Sequence, residues 1–172
     1  SGGQQQRVAI TLALAGEPKA LILDEPTTGL DVTTQVHILS LLEQLAKSKN
    51  MAMIFVSHDM GVIARACTRV IVMYGGELVL DGDVRTVMNS PSHPYAKGLL
   101  ASIPKLKKAT IPAALDGRPP MPGKAGDGCS FALRCALANE KCKNERPHLT
   151  MGPRNEFVRC WRSHDINLIE TL

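Results

Sequence analysis

The sequence predicts an α/β fold with a mostly parallel sheet, and three observations carry that prediction. Short apolar runs of strand length alternate with stretches of helical spacing from Gln4 to Met73, as in βαβ units. The run at 20–23 holds only apolar residues, which is typical of a strand buried on both faces. Gly75 and Gly76 separate two further runs and predict a tight hairpin, which adds an antiparallel edge to the sheet.

Each predicted element has a local signal of its own. Gly16 ends the first helix, whose apolar face would include Val8 and Leu12. Asp83 is placed to cap a short helix, and Pro94 is placed to open the next one. The predicted helices are 4–15, 34–46, 60–66, 84–89 and 95–102, and the predicted strands are 20–23, 51–56, 70–73 and 77–80.

Composition changes along the chain and predicts three segments, at 1–83, 84–128 and 129–172. The middle segment begins with helices and becomes a proline- and glycine-rich linker from 103 onward, and the last segment holds four of the five cysteines. Aromatic residues make up only 3% of the chain, so we expect no nucleic-acid partner that relies on base stacking. No apolar run approaches the ~18 residues of a membrane span.

Two adjacent carboxylates follow the first predicted strand. Asp24 and Glu25 would lie at the carboxyl-terminal edge of a parallel sheet, where α/β proteins bind ligands. Neighbouring strand residues point to opposite sides, so the two acids need different roles. One can hold Mg²⁺ beside nucleotide phosphates, and the other can orient and deprotonate an attacking water. His58 follows the next strand and is predicted to lie at the same edge.

The chain opens with a hydroxyl and two glycines just before a helix. Ser1, Gly2 and Gly3 lead into Gln4, and the unpaired N–H groups at such a helix start attract anions. Glycine also lets a phosphate approach the backbone closely. This arrangement predicts a site for phosphate groups.

Together and in this order, the motifs resemble the ATP-binding-cassette (ABC) ATPase family. The resemblance rests on a signature motif at 1–7, a Walker B strand with its glutamate at 21–26, a D-loop at 27–31 and a switch histidine at 58. It implies that 1–83 is the C-terminal half of a P-loop NTPase domain, and that Asp24 holds Mg²⁺ through water. It also implies that Glu25 is the general base for ATP hydrolysis and that His58 senses the γ-phosphate.

The same resemblance implies a dimer of ATPase subunits. Ser1, Gly2, Gly3 and Gln4 would close over ATP held by the opposite subunit, and Asp31 would shape the dimer contact. The sequence contains no Gly-x-x-x-x-Gly-Lys-Ser/Thr motif and no glutamine loop. We therefore expect a fragment of a longer chain, and we expect that it does not hydrolyse ATP alone.

A second set of motifs resembles the C-terminal extension of dipeptide/oligopeptide permease ATPases. It comprises 72–77, the Ser-His-Pro-Tyr stretch at 92–95 and the helix with its exit at 99–104. The resemblance implies an ATPase on the cytoplasmic face of the cell membrane, bound peripherally to transmembrane permease subunits and served indirectly by a peptide-binding protein. Nickel or another solute stays open as the cargo. A non-hydrolysing metal-binding or interaction module is the alternative from another class.

Four cysteines crowd into the last segment and predict a metal site. Cys129, Cys135, Cys142 and Cys160 are separated by five, six and seventeen residues, in a stretch with little core potential. Spacing alone leaves Zn²⁺, an iron–sulfur cluster and unligated thiols open. The permease resemblance implies a [4Fe–4S] cluster, as in some members, with Zn²⁺ as the alternative. Cys67 is expected to be a small buried apolar residue.

Overall fold

The computed structural model describes residues 2–103, 115, 117–121 and 126–166. The chain divides into two compact units, Ser1–Cys67 and Thr68–Leu172. Ser1 and most of the predicted linker after residue 103 lie outside the described residues. None of the described helices is long and apolar enough to cross a membrane.

The first unit is built on a βαβ arrangement. Its two strands pair in parallel, in a register that runs from Ala20 opposite Ala52 to Asp24 opposite Val56, so both strands end at the same edge. The helix between them is the crossover that a parallel pair requires. The elements of this unit are α1 (Gly2–Leu14), β1 (Ala20–Asp24), α2 (Val32–Lys49), β2 (Ala52–Val56) and α3 (Met60–Ala66).

Local signals explain the length of α2. Asp31 caps its first turn, because its carboxylate accepts the Thr34 N–H at 3.0 Å. Asn50 ends it in the left-handed region, with φ of 46°, and donates its N–H to the last carbonyls. Lys47 and Lys49 lie in the last turn, where their positive charge interacts favourably with the negative end of the helix dipole.

The core of the first unit covers only one face of the two-stranded sheet. Ile22 is 69% exposed and Ile54 is 56% exposed, on the opposite face. The prediction that β1 is buried on both faces is therefore wrong for this chain. The core side chains of α1 and α2 lie on a single side of the sheet. The buried core consists of Ile10, Leu21, Leu23, Ile38, Leu42 and Met51.

The buried stripe of α1 also differs from the prediction. Val8 and Leu12 are exposed, whereas Ile10 is buried and Leu14 packs against the same core. Gly3 lies two helical turns before Ile10 on this stripe. A Cβ at Gly3 would come within 2.6 Å of the Thr34 Cγ2. Because glycine permits this close approach, the start of α1 packs directly against the start of α2.

The second unit contains a four-stranded antiparallel sheet in the order β3-β4-β6-β5. Its strands are β3 (Arg69–Tyr74), β4 (Glu77–Asp83), β5 (Thr150–Met151) and β6 (Phe157–Val158). Its helices are α4 (Val84–Asn89), α5 (Pro94–Ala101), a 3₁₀ turn at Ala132–Arg134 and α6 (Glu140–Asn144).

The predicted hairpin is confirmed, with Tyr74 opposite Glu77 across the turn. Gly75 and Gly76 have φ values of 57° and 83°, the pair of positive angles that a two-residue type I′ turn requires. The expectation of a mostly parallel sheet is not met in the described residues, where only the β1–β2 pairing is parallel. The two-residue turn allows only antiparallel pairing of β3 and β4, and β6 extends that sheet from the cysteine segment.

An aromatic cluster fixes the cysteine segment against the hairpin. The Tyr74 ring lies 4.7 Å from Tyr95 at the start of α5 and 5.1 Å from Phe131, centroid to centroid. Arg134 stacks its guanidinium over Tyr74 and Phe131 and donates to the Tyr74 hydroxyl at 3.2 Å. The hairpin, α5 and the segment after residue 128 therefore share one packed centre.

The predicted helix starts in this unit are confirmed. Asp83 accepts the N–H groups of Arg85 and Thr86 at 2.9 and 3.1 Å. Pro94 is the first residue of α5, and His93 caps that helix through its ring nitrogen. The two caps therefore fix the residues at which α4 and α5 begin.

Candidate functional site

The first candidate site lies where β1 and β2 end side by side. The Glu25 N–H donates to the Val56 carbonyl at 2.8 Å, which extends the parallel ladder by one residue beyond Asp24. Glu25 itself has φ of 47°, in the left-handed region that costs a non-glycine residue of this kind about 1–3 kcal/mol. Such backbone geometry turns the chain sharply after the strand, and it places the carboxylate beside the residues that follow β2.

Both carboxylate oxygens of Glu25 are held. Oε1 lies 2.7 Å from the Nδ1 of His58 and accepts the His58 backbone N–H at 3.2 Å. Oε2 accepts the Thr28 hydroxyl at 2.7 Å. The structure thus brings together two of the residues that the sequence predicted, Glu25 and His58, and adds Thr28.

These contacts change the acidity of the pair. Hydrogen bonds from Thr28 and then from His58 lower the pKa of Glu25, and the carboxylate raises the pKa of His58. Both side chains are solvent-exposed enough that water reaches the carboxylate. Glu25 is therefore ionised at neutral pH and can accept a proton from a water molecule, which is the state that a general base needs.

We expect this contact to appear directly in the titration of His58. In the 172-residue chain, proton and nitrogen NMR should give His58 a pKa above its ordinary 6.5, and Glu25→Gln should bring it back toward that value. The charged pair should persist as pH rises until His58 loses its proton at its raised pKa. It should persist as pH falls until Glu25 gains one, below its ordinary 4.5. An unchanged His58 pKa in the variant would show that the two side chains do not meet.

Asp24 is placed differently from Glu25. It is the last residue of β1, on the same exposed face as Ile22, and it does not line the cavity that Glu25 and His58 share. The two acids thus occupy different environments, as the alternation along a strand requires. Carboxylate oxygen is a ligand type that Mg²⁺ prefers, so the predicted metal role of Asp24 stays a prediction.

The signature residues lie in the first turn of α1. Gly2 and Gly3 are already helical, and a Cβ on Gly2 would lie 3.5 Å from the Leu30 side chain. The structure therefore brings the predicted signature and D-loop segments together inside one unit. Asp31 acts here as the cap of α2, and the Thr34 N–H and hydroxyl lower its pKa. The roles of Gly2, Gly3, Gln4 and Asp31 at a nucleotide stay predictions, as does that of Ser1, which lies outside the described residues.

Two further residues that line the cavity beside Glu25, Asp59 and Gln35, were not singled out from the sequence. Asp59 caps α3 through the Gly61 and Val62 N–H groups at 2.8 and 3.3 Å, and its other oxygen accepts the Gln35 side-chain amide at 3.2 Å. An aspartate just before a helical stretch is a cap signal that could have identified Asp59. No local signal marks Gln35, because it reaches the site only through the packing of α2. The cavity is lined by Glu25, Thr27, Thr28, Gly29, Gln35, Ser57, His58 and Asp59.

The second candidate site is a cavity in the other unit that all four predicted cysteines line. The four are free thiols, and Cys142 is buried. Gly128 lets the chain pass close to the backbone of Lys143, since a Cβ there would overlap its carbonyl, and the Cys129 N–H donates to the Cys142 carbonyl at 2.8 Å. Cysteines far apart in sequence thereby line one cavity, and their predicted role as metal ligands stays a prediction.

Backbone N–H groups face several of these sulfur atoms. The Arg162 N–H donates to the Sγ of Cys160 at 3.3 Å. Backbone N–H groups of Phe131 and Leu137 lower the pKa of Cys129 and Cys135, respectively. Burial is the larger influence and raises the pKa of these thiols, to about 12 for Cys160. Without a metal, Cys129, Cys135 and Cys160 therefore stay protonated at neutral pH, so metal binding would release protons from them.

The arrangement of the thiols bears on which metal group fits. In the described part of the chain, no three His, Cys, Asp or Glu residues are grouped so that they could hold one metal ion. A tetrahedral Zn²⁺ site needs every sulfur within ~2.3 Å of a single centre. A [4Fe–4S] cluster takes one thiolate on each of four irons, so its ligands stand around a wider space. Four thiols line one cavity, and the predicted [4Fe–4S] cluster and its Zn²⁺ alternative both stay predictions.

Cys67 differs from the expectation that it is buried. It lies between α3 and β3 and is only partly buried, although burial still raises the pKa of its thiol. The reason is its position in the two-residue connection between these elements, outside the regular packing of either one. It does not line the cysteine cavity.

Comparison with known proteins gives two family matches. Residues 1–28 match the ABC transporter family, and residues 81–142 match the C-terminal region of oligopeptide/dipeptide transporters. One relative from Brucella melitensis biotype 1 and one from Brucella ovis are each 42% identical over 177 residues, covering 96% of this chain and 51% of the relative. Both are named as putative peptide import ATP-binding proteins. The chain thus spans about half the length of these curated relatives.

Solved structures support the same class of protein. Part of the chain matches cbiO1 from Clostridium perfringens, described as part of the ABC transporter complex cbiONQ, with 40% identity and a TM-score of 0.50 over 52% of this chain and 36% of that one. It also matches an inward-facing putative metal-chelate type ABC transporter, with 32% identity and a TM-score of 0.52 over 60% of this chain and 39% of that one. The fold is that of a P-loop NTPase with mixed sheets, and the chain belongs to the ABC ATPase family. Within that family it belongs to the dipeptide/oligopeptide permease group.

Proposed function

We propose that this chain is the signature-to-switch half of an ABC ATPase that powers import of di- or oligopeptides through a membrane permease. The observation that carries the proposal is the fixed Glu25 carboxylate, held by His58 on one oxygen and by Thr28 on the other. An ionised, water-accessible carboxylate at the carboxyl ends of parallel strands is suited to activating water. The relatives of the chain are named as putative peptide import ATP-binding proteins, which supports peptides as the cargo.

The proposed chemistry assigns one role to each residue. Glu25 orients the attacking water and accepts its proton, and His58 holds Glu25 in place and faces the γ-phosphate. Asp24 would hold Mg²⁺, which neutralises charge on the phosphates when bound. The carboxylate oxygens of Asp24 lie at the strand end on the exposed face, in keeping with that role. Positioning and electrostatic stabilisation account for most of the catalysis in phosphoryl transfer.

The proposed assembly is a pair of ATPase subunits on the cytoplasmic face of the membrane. Gly3 packs against Thr34, so the signature turn and the segment around Asp31 form one surface. In the proposal, this surface meets ATP held by the phosphate-binding loop of a second subunit. Closure of the pair would drive the transmembrane permease subunits, and a peptide-binding protein would deliver the cargo to them.

The exposed sheet face supports the view that these residues act as part of a larger domain. A two-stranded sheet with apolar side chains on its open face is marginally stable in water. Ile22, Ile54 and Val56 form such a face. A nucleotide-binding half that covers them would add both the missing core layer and the phosphate-binding loop.

We also propose that Cys129, Cys135, Cys142 and Cys160 hold a [4Fe–4S] cluster. The shared cavity of four thiols supports a metal site, and the match to the oligopeptide/dipeptide transporter C-terminal region favours the cluster over Zn²⁺. When bound, the cluster would cross-link α6, the 3₁₀ turn and the segment after β6. It would thereby fix the tail in one shape.

Nucleotide hydrolysis tests the proposed function at two levels. The purified 172-residue chain should show no measurable ATPase activity, because nothing in its sequence supplies the phosphate-binding loop. The complete parent ATPase, assembled with its permease, should hydrolyse ATP faster when a peptide-loaded binding protein is added. Stimulation by nickel or another solute instead of peptide would reassign the cargo. Robust turnover by the 172-residue chain would contradict the site assignment.

A further inference from the structure

The His93 ring lies at the start of α5, and one of its two nitrogens makes a hydrogen bond to the backbone. Its Nδ1 accepts the Tyr95 N–H at 3.1 Å, which caps the helix. A neutral imidazole that accepts at one nitrogen carries its hydrogen on the other. The donor of His93 is therefore the Nε2–H.

This donor has no hydrogen-bond partner among the described residues. His93 is only 1% exposed, and its Nε2 is buried and unpaired. Burial lowers the pKa of His93 to about 4, and the nearby Arg159 carbonyl opposes that shift without forming a hydrogen bond of normal geometry. Buried donors are almost always paired in native proteins, so an unpaired one calls for an explanation.

The ring also lines the cavity that the four cysteines share. Phe131, between Cys129 and Cys135, lies 6.0 Å from His93, centroid to centroid, and Cys160 follows Arg159 directly. Sulfur that carries negative charge is a good acceptor for N–H groups, and such donors tune iron–sulfur groups. A buried N–H donor, a set of thiols and a shared cavity therefore occur together.

We propose that the Nε2–H of His93 donates a hydrogen bond to sulfur of the group that the four cysteines bind. This inference rests on the proposed cluster and adds His93 as a positioning residue, outside the ligand set. The Nδ1 of the same ring caps α5, so His93 ties the first turn of that helix to the metal site. A donor at sulfur stabilises added negative charge and makes the reduction potential less negative.

The test uses the 172-residue chain, reconstituted anaerobically with iron and sulfide. His93→Asn keeps a side chain that can cap α5 but cannot extend to the Nε2 position. The matched control is His148→Asn, which changes an exposed histidine of the same unit. The reduction potential should shift to more negative values in His93→Asn and stay unchanged in His148→Asn. Equal potentials in all three proteins would overturn the inference.

A spectroscopic measurement does not depend on the stability of that variant. A chain labelled with ¹⁵N only in histidine, carrying asparagine at the other four histidines, leaves His93 as the sole labelled ring. Pulsed EPR of the reduced cluster should detect a weakly coupled ¹⁵N nucleus, and its absence would overturn the inference. Iron and sulfide analysis separates the two proposals. A loaded cluster without the coupling refutes only the role of His93, whereas no cluster at all refutes both.

Discussion

Glu25→Gln in the complete parent ATPase should lower ATP turnover by about 10²–10⁴-fold, the usual contribution of a general base. The change keeps the size of the side chain and its contact with the Thr28 hydroxyl, so the cavity should keep its shape. It removes the negative charge that accepts the proton of water. Steady-state hydrolysis and nucleotide binding should be measured on the same preparation, and binding should persist while turnover is lost.

Glu43→Gln is the matched control for that experiment. Glu43 lies on α2 and pairs with Arg65 at 3.6 Å, on a partly exposed surface away from the cavity. Exposed pairs of this kind contribute ~0–1 kcal/mol, so turnover should stay within about twofold. Near-normal hydrolysis by Glu25→Gln would remove Glu25 from the catalytic role and turn attention to the other groups of the cavity.

Cys142→Ser should lower cluster loading several-fold in the 172-residue chain. Cys142 is the buried member of the four, and its backbone is already tied to Cys129 and to the Asn139 cap of α6. Replacing the sulfur removes one of four ligands and leaves a hydroxyl in its place. Iron and sulfide content should fall several-fold, and the broad visible absorption band should weaken accordingly. The thermal midpoint of the second unit should fall as well, because metal binding stabilises the fold that forms the site.

Cys67→Ser is the control, because Cys67 lies outside the cavity. Metal content should not change in that variant. Stoichiometric zinc without sulfide in the unmodified chain would replace the cluster by Zn²⁺. Complete reaction of all four thiols with a thiol reagent in native protein free of metal would show that the cysteines hold no metal.

The sequence predicted the features that depend on local chemistry. The two-glycine hairpin, the caps at Asp83 and Pro94 and the parallel pairing of β1 with β2 appear where they were expected. Each depends on a few neighbouring residues or on the length of an apolar run. For the same reason, the adjacency of Glu25 and His58 could be predicted, since parallel strands end at one edge.

Features set by packing between distant segments were not predictable in this way. Which stripe of α1 is buried depends on the close approach at Gly3, and that approach requires α2 as a partner. The open face of β1 looks apolar in sequence, and nothing local indicates whether another layer covers it. Gln35 enters the site through the tilt and position of α2 alone.

The sequence by itself therefore determined the motifs, their order along the chain and the family to which they belong. Only the tertiary structure decided that Thr28 holds the second oxygen of Glu25, that the four cysteines line one cavity and that His93 lines it with an unpaired donor. The physical reason is distance along the chain. Motifs are local, whereas the partner of a buried hydrogen-bonding group is chosen by elements that meet only when the chain is packed.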